Sequence, residues 1–158
     1  MKTLKKFTAG ALIVLILFSA ASCSLFKEKE SITAEDFREA MEDEGLTVED
    51  GTDQFKDVEE VEKCLLAYTE DYQIEFYVLE TEDQARSGYN RNKSDFETSF
   101  GGTGSTKSQV SIANYSKFAM TTSDGYSVLS QIDNTMIFLQ VDKEYKEEVN
   151  ELLETIGY

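Results

Sequence analysis

The sequence contains no histidine. That removes the usual general base near neutral pH and the commonest transition-metal ligand, and it excludes serine–histidine and cysteine–histidine nucleophilic catalysis. Acid–base chemistry would have to rest on carboxylates, and with 31 acidic residues no spacing singles out a pair. Basic residues are scarce, 15 against those 31, for a net charge of −16. A nucleic-acid binder needs a basic stripe to displace counterions from phosphates, so no nucleic-acid partner is expected. There is also no apolar run long enough to cross a bilayer as a helix. The longest, counted generously from Ala9 to Ala21, is 13 residues, where a span needs about 20.

That stretch has another meaning. Lys2, Lys5 and Lys6 precede it, and small residues follow it into Ser22 and Cys23. A charged start, an apolar core and a small-residue end form the layout of a secretory signal. Ala20-Ala21-Ser22-Cys23 resembles a lipobox, the motif cut by the lipoprotein signal peptidase after a diacylglycerol is attached to the cysteine. Ala20 stands where leucine is most usual, and the same residues offer ordinary cleavage after Ser19-Ala20-Ala21. The resemblance covers residues 1–23 and implies lipidation at Cys23 and a membrane partner reached through the lipid. The remainder, small and acidic, is similar to uncharacterised surface lipoproteins of Gram-positive bacteria, a likeness that transfers no functional residue except Cys23.

Cleavage before Cys23 removes three lysines and no acid. The remaining chain carries 12 basic residues against 31 acids, a net charge of −19 over 136 residues. This length suits one domain. With Cys23 lipidated, Cys64 is the only other thiol, so no intramolecular disulfide forms and the fold rests on packing. The expected organisation is a signal peptide over 1–22, a lipidated cysteine and tether over 23–31, and a single domain over 32–158.

Within the domain, Thr33 with Glu35 and Asp36 marks a helix start, Phe37 and Met41 share a face, and Gly45 ends the run. Cys64 to Leu79 predicts a hairpin turning near Glu70-Asp71, with Ile74, Phe76 and Val78 alternating with Gln73, Glu75 and Tyr77. Thr81 and Gln84 form a capping box for a second helix bearing Ala85, Tyr89, Asn92 and Phe96, stopped by Gly101-Gly102. The Gly-, Ser- and Thr-rich segment 101–111 is read as a mobile loop, a plain connection in preference to a lid. A three-strand meander follows over Ile112–Thr122, Tyr126–Ile132 and Thr135–Val141, and Asp142 is expected to cap a closing helix with Tyr145, Val149, Leu152, Leu153 and Ile156 on its apolar face. The prediction is therefore an α+β fold: an antiparallel sheet of about five strands with three helices. Residues 64–99 and 126–158 share the order hairpin then helix, which suggests a doubled ββα unit.

Candidate sites are few. Cys64, heading an apolar strand, is read as buried core in preference to a reactive thiol. Glu49-Asp50-Gly51-Thr52-Asp53 brings oxygen ligands around a glycine, but it lacks the alternation and closing glutamate of a calcium loop, so a solvated acidic face is favoured and no metal or cofactor is assigned. Residues 101–141 hold only Asp124 and Asp133 against Lys107 and Lys117, a low-charge stretch on which Tyr115 and Tyr126 either meet a protein or glycan or merely edge the core. Met136-Ile137-Phe138-Leu139 and Leu65-Leu66 are apolar on both faces of their strands, which calls for helices on both sides or a face left for a partner. The leading expectation is a non-catalytic binding or interaction module of the cell envelope. Its alternatives are a carboxylate-dependent envelope enzyme and a mainly structural lipoprotein.

Overall fold

A computed structural model describes residues 28–58, 60–100, 104–123 and 125–158. Cys23 and the signal-like segment lie outside them. In chain order the elements are α1 (Ala34–Asp43), β1 (Thr47–Asp50), a 3-10 turn (Thr52–Phe55), β2 (Val61–Tyr68), β3 (Gln73–Leu79), α2 (Glu82–Phe100), β4 (Thr106–Ile112), β5 (Tyr115–Thr121), β6 (Gly125–Ile132), β7 (Thr135–Asp142), a second 3-10 turn (Lys143–Tyr145) and α3 (Lys146–Thr155).

The seven strands form one antiparallel sheet in the order β1-β2-β3-β7-β6-β5-β4. Two meanders, β1 to β3 and β4 to β7, are joined where β3 pairs with β7. Between them α2 carries the chain from the middle of the sheet to its far edge. At 1.5 Å per residue, 19 helical residues span about 28 Å, enough to cross the four strand spacings, roughly 19 Å, that the connection must bridge.

The α+β class and three helices hold, but the sheet has two strands more than the five expected. The first addition is β1, where Val48 is the only buried residue and Glu49 and Asp50 hide the strand among acids. The second is β4, within the segment read as a mobile loop. As an edge strand it needs no apolar face, and all of it is exposed except the half-buried Val110. The predicted strand Ile112–Thr122 is broken by a two-residue turn at Ala113-Asn114, with Ala113 in the left-handed region at φ 51°. Alanine carries no turn signal. Asp142 is not a cap either. It makes no capping hydrogen bond, a 3-10 turn follows it, and α3 begins at Lys146.

Packing falls into two layers because successive strand residues face opposite sides. On one side α1 and α3 cover Leu65, Ala67, Ile74, Phe76, Val128, Ile137 and Leu139. Phe37 of α1 stacks on Phe76 at 4.7 Å between ring centroids. On the other side α2 brings Ala85, Tyr89 and Phe96 against Phe118, Met120, Leu129 and Met136. Of the strands that are apolar on both faces, β7 is thus met by helices on both sides, and β2 by a helix on one side only. A doubled ββα unit would require α2 and α3 on the same side, because antiparallel neighbours such as β3 and β7 are related by an axis normal to the sheet. They lie on opposite sides.

Three helix ends follow their sequence signals. Thr33 Oγ1 accepts from the Asp36 amide while Asp36 Oδ2 accepts from that of Thr33, a reciprocal cap. α1 and α3 both close with a left-handed glycine, Gly45 at φ 87° and Gly157 at φ 84°. In each, the next residue donates back to the last turn, Leu46 N to Met41 O at 2.9 Å and Tyr158 N to Leu153 O at 2.8 Å. Leu46 and Tyr158 are then buried, with Tyr158 edge-on to Phe76 and its hydroxyl hydrogen-bonded to Thr135.

Ahead of Ile32 the chain also contacts the domain, at Lys29. Lys29 donates its amide to Asn114 Oδ1 (3.0 Å), its carbonyl accepts from Asn114 Nδ2 (2.8 Å), and its ammonium reaches the Gly157 carbonyl (2.7 Å) above the Tyr115 ring.

A β-carbon added at Gly45 or Gly157 would meet nothing within 4 Å, so the cost of substitution is backbone strain alone. Gly45→Ala and Gly157→Ala should each destabilise by about 1–2 kcal/mol, measured as a lower urea midpoint with an unchanged slope.

Candidate functional site

Among the described residues α2 is the only helix on its side of the sheet, and it lies over β6, β7 and β3. Toward β2 the cover is the segment 51–58 instead. Between that segment and α2 lies an open groove with a volume of about 410 Å³, within the range of small-molecule sites. Its floor is Tyr77 and Leu79 of β3 with Met136 and Phe138 of β7. One wall is Phe55, Val58 and Val61, and the other is the first half of α2, from Asp83 to Asn92.

The first wall is held from beneath. The Gly51 amide donates to the Cys64 carbonyl (2.9 Å), and the Cys64 amide donates to Thr52 Oγ1 (3.0 Å). Glycine fits closely at 51: a β-carbon there would stand 3.0 Å from Leu66 Cγ, so the Leu66 side chain would have to give by a few tenths of an ångström. Beyond this clasp the 3-10 turn sets the Phe55 ring edge-on to Tyr77, with centroids 5.3 Å apart. Val58 follows at the groove's lip, 39% exposed; Ile112 is the only other large apolar residue so exposed among the described residues.

On the helical wall, Gly88 leaves an open step, since an added β-carbon would only touch the Met136 side chain at 3.8 Å. Asn92 donates to the Gly88 carbonyl at 2.9 Å. Arg91 is exposed at the rim and makes no ion pair among the described residues, whereas Arg38 and Arg86 lie on Glu42 and Glu82 one turn away. In the floor stands one acid, Glu75. Its strand neighbours across the sheet are Leu66 and Phe138. Glu75 Oε1 accepts from Gln73 Nε2 at 3.0 Å, and Oε2 accepts from the Tyr77 hydroxyl. Burial, and then the bond to Glu75, push the Tyr77 hydroxyl well above the ordinary phenol range.

Of the residues singled out in the sequence, Cys64 is fully buried beneath the Gly51–Thr52 turn. Burial first and the nearby Glu75 charge second push its thiol up to about 12. The acidic run 49–53 does not converge. Strand geometry sends Glu49 to the Tyr68 hydroxyl (2.7 Å) and Asp50 the other way, to Lys63 Nζ (2.6 Å) and the Thr52 amide. The Lys63 ammonium holds the Asp50 carboxyl well below the usual carboxylate range, with Thr52 contributing second. Among the described residues no three acid or thiol side chains come together as a metal site.

Tyr126 is buried with its hydroxyl on Asn150 (2.8 Å), and Tyr115 is half-buried beneath the Lys29 ammonium. They edge the core. Of the groove's residues, Met136 and Phe138 stand out in the sequence as part of a strand apolar on both faces, but Glu75 and Gly88 do not: Glu75 alternates with apolar neighbours like any solvent-facing strand residue, and Gly88 is a lone glycine inside a helical pattern, a signal that by itself points only to close packing or a weakened helix.

The chain matches no known protein family, no curated protein and no solved structure.

A thiol whose ionisation is raised stays protonated, and unreactive, until the pH approaches its shifted value. Native Cys64 should therefore resist iodoacetamide at pH 9, where an ordinary thiol is largely ionised, and be alkylated at once in denaturant. Equal labelling rates in the two conditions, followed by mass spectrometry, would contradict its burial.

Proposed function

We propose that this chain is a lipoprotein, exported and held on the outer face of a membrane by lipid on Cys23, and that its domain works there as a binding module through the groove beside α2. The single observation that carries the binding role is an apolar hollow left open beside α2, floored by the sheet. Folding alone favours covering such a floor, at about 25 cal/mol per Å² of apolar surface. A floor of Tyr77, Leu79, Met136 and Phe138, open between two walls, is instead suited to receiving the apolar part of a ligand.

The anchor reading rests on the tripartite leader and on Ala20-Ala21-Ser22-Cys23. One acyl chain holds a protein only marginally, while two or three hold it firmly. Four residues separate Cys23 from Glu28, where the described chain begins, and five extended steps reach at most about 18 Å. With Lys29 fastened to Asn114, the domain would be held close to the bilayer, within reach of envelope components. The low-charge meander keeps a supporting part, since its tyrosines pack the core and steady the sheet whose other end forms the floor.

Two experiments test the two halves. Cys23→Ala should abolish incorporation of labelled fatty acid and release the protein from membranes; a membrane-bound, unlabelled variant would exclude the lipid anchor.

For the groove, Gly88→Leu places a side chain over Met136 without strain and improves helix propensity by roughly 0.8 kcal/mol. It should eliminate saturable binding of the neutral dye Nile red, followed by fluorescence, while leaving thermal stability unchanged or higher. Undiminished dye binding in that variant would rule the groove out.

A further inference from the structure

We infer that the groove selects an amphipathic cation: a ligand whose aromatic or aliphatic body lies on Met136 and Phe138 and whose ammonium or guanidinium group meets Glu75. This deepens the binding role proposed above and rests on it.

The first argument is the placement of Glu75. It lies on β3, in the interior of the sheet, on the side that β7 and α2 make apolar, between Leu66 and Phe138. A carboxylate set among such apolar neighbours needs donors for its oxygens. Within this chain it has two donors, Gln73 Nε2 and the Tyr77 hydroxyl, and no ion pair among the described residues. A carboxylate has about four acceptor positions. The two bonds hold the group still and leave room for more donors from the groove side.

The second argument is the charge around it. Glu60, Glu75 and Asp83 line the groove against Arg91 alone. Arg91 is at the exposed rim, where water weakens its hold on an anion, while Glu75 is in the floor, where a charge interaction is stronger. The chain as a whole carries −16, a field that draws cations toward the groove and repels anions. The third is the lining itself. Phe55, Tyr77 and Phe138 border the same space, and aromatic faces attract ammonium and guanidinium groups, adding to the carboxylate's selection.

Three probes with one apolar body separate the possibilities: 4-phenylbutylamine, 4-phenylbutan-1-ol and 4-phenylbutanoate, titrated into the purified full-length protein at neutral pH. Binding is read by calorimetry and by the Met136 methyl resonance. The amine should bind about tenfold tighter than the alcohol or more, and the anion weakest. Glu75→Gln, which keeps the size of the side chain, should erase the amine's advantage over the alcohol, and Arg91→Gln, which removes the rim's cation, should raise the amine's affinity.

Equal affinity for amine and alcohol, or tightest binding of the anion with loss in Arg91→Gln, would overturn the cation inference while the groove remains a binding site. Absence of saturable binding by all three would overturn it together with the groove reading. Should Glu75→Gln unfold the domain, the order of the three probes on the unaltered protein still decides the question.

Discussion

The pairing of β3 with β7 is the constraint on which the rest of the molecule depends. Without it the chain is two separate antiparallel meanders, each with an apolar edge. With it, Ile74 and Phe76 come level with Leu139 and Ile137 on one side, and Glu75 and Tyr77 with Phe138 and Met136 on the other. α2 makes this pairing possible, because it is long enough to carry the chain to the far edge and let β4 to β7 return toward the centre. Phe76, at the centre, is then met by Phe37 from α1 and by Tyr158 after α3, so elements from both ends of the domain converge on one residue.

The groove follows from the same arrangement. Two helices share one side of the sheet, and one helix cannot cover the other side across seven strands. The chain fills part of the gap with a segment pinned at Cys64 by Gly51 and Thr52, and the space between that segment and α2 stays open. Glu75 inherits an unusual position. On a sheet with one solvated side it would be an ordinary outward acid, and it becomes a floor residue only because β7, with Phe138, lies beside it.

Much of the local structure was legible. The cap at Thr33, the Thr81 hydroxyl that accepts from the Gln84 amide, the stops at Gly45 and Gly157, the turn at Asp133-Asn134 and the burial of Cys64 all rest on interactions within a few residues or on side-chain type, which sequence displays directly. The missed strands share the opposite property. β1 and β4 are sheet edges whose hydrogen bonds come from a neighbour and whose side chains need not be apolar, so neither periodicity nor composition marks them. The turn at Ala113 is similar: its left-handed alanine is held by Asn114, whose side chain bonds Lys29 and Asp133, both distant in sequence.

What the sequence determined by itself is where most of the helices start and stop, the β2–β3, β5–β6 and β6–β7 hairpins, which residues prefer the interior, and that no histidine chemistry is available. Only the tertiary structure decided strand order, the side each helix takes, and hence that Glu75, Tyr77, Met136 and Phe138 share one open floor with Gly88 and Arg91 above it. The physical reason is that a strand's period of two separates one side from the other but carries no information about what covers either side. That is settled by the long-range return of β7 to β3.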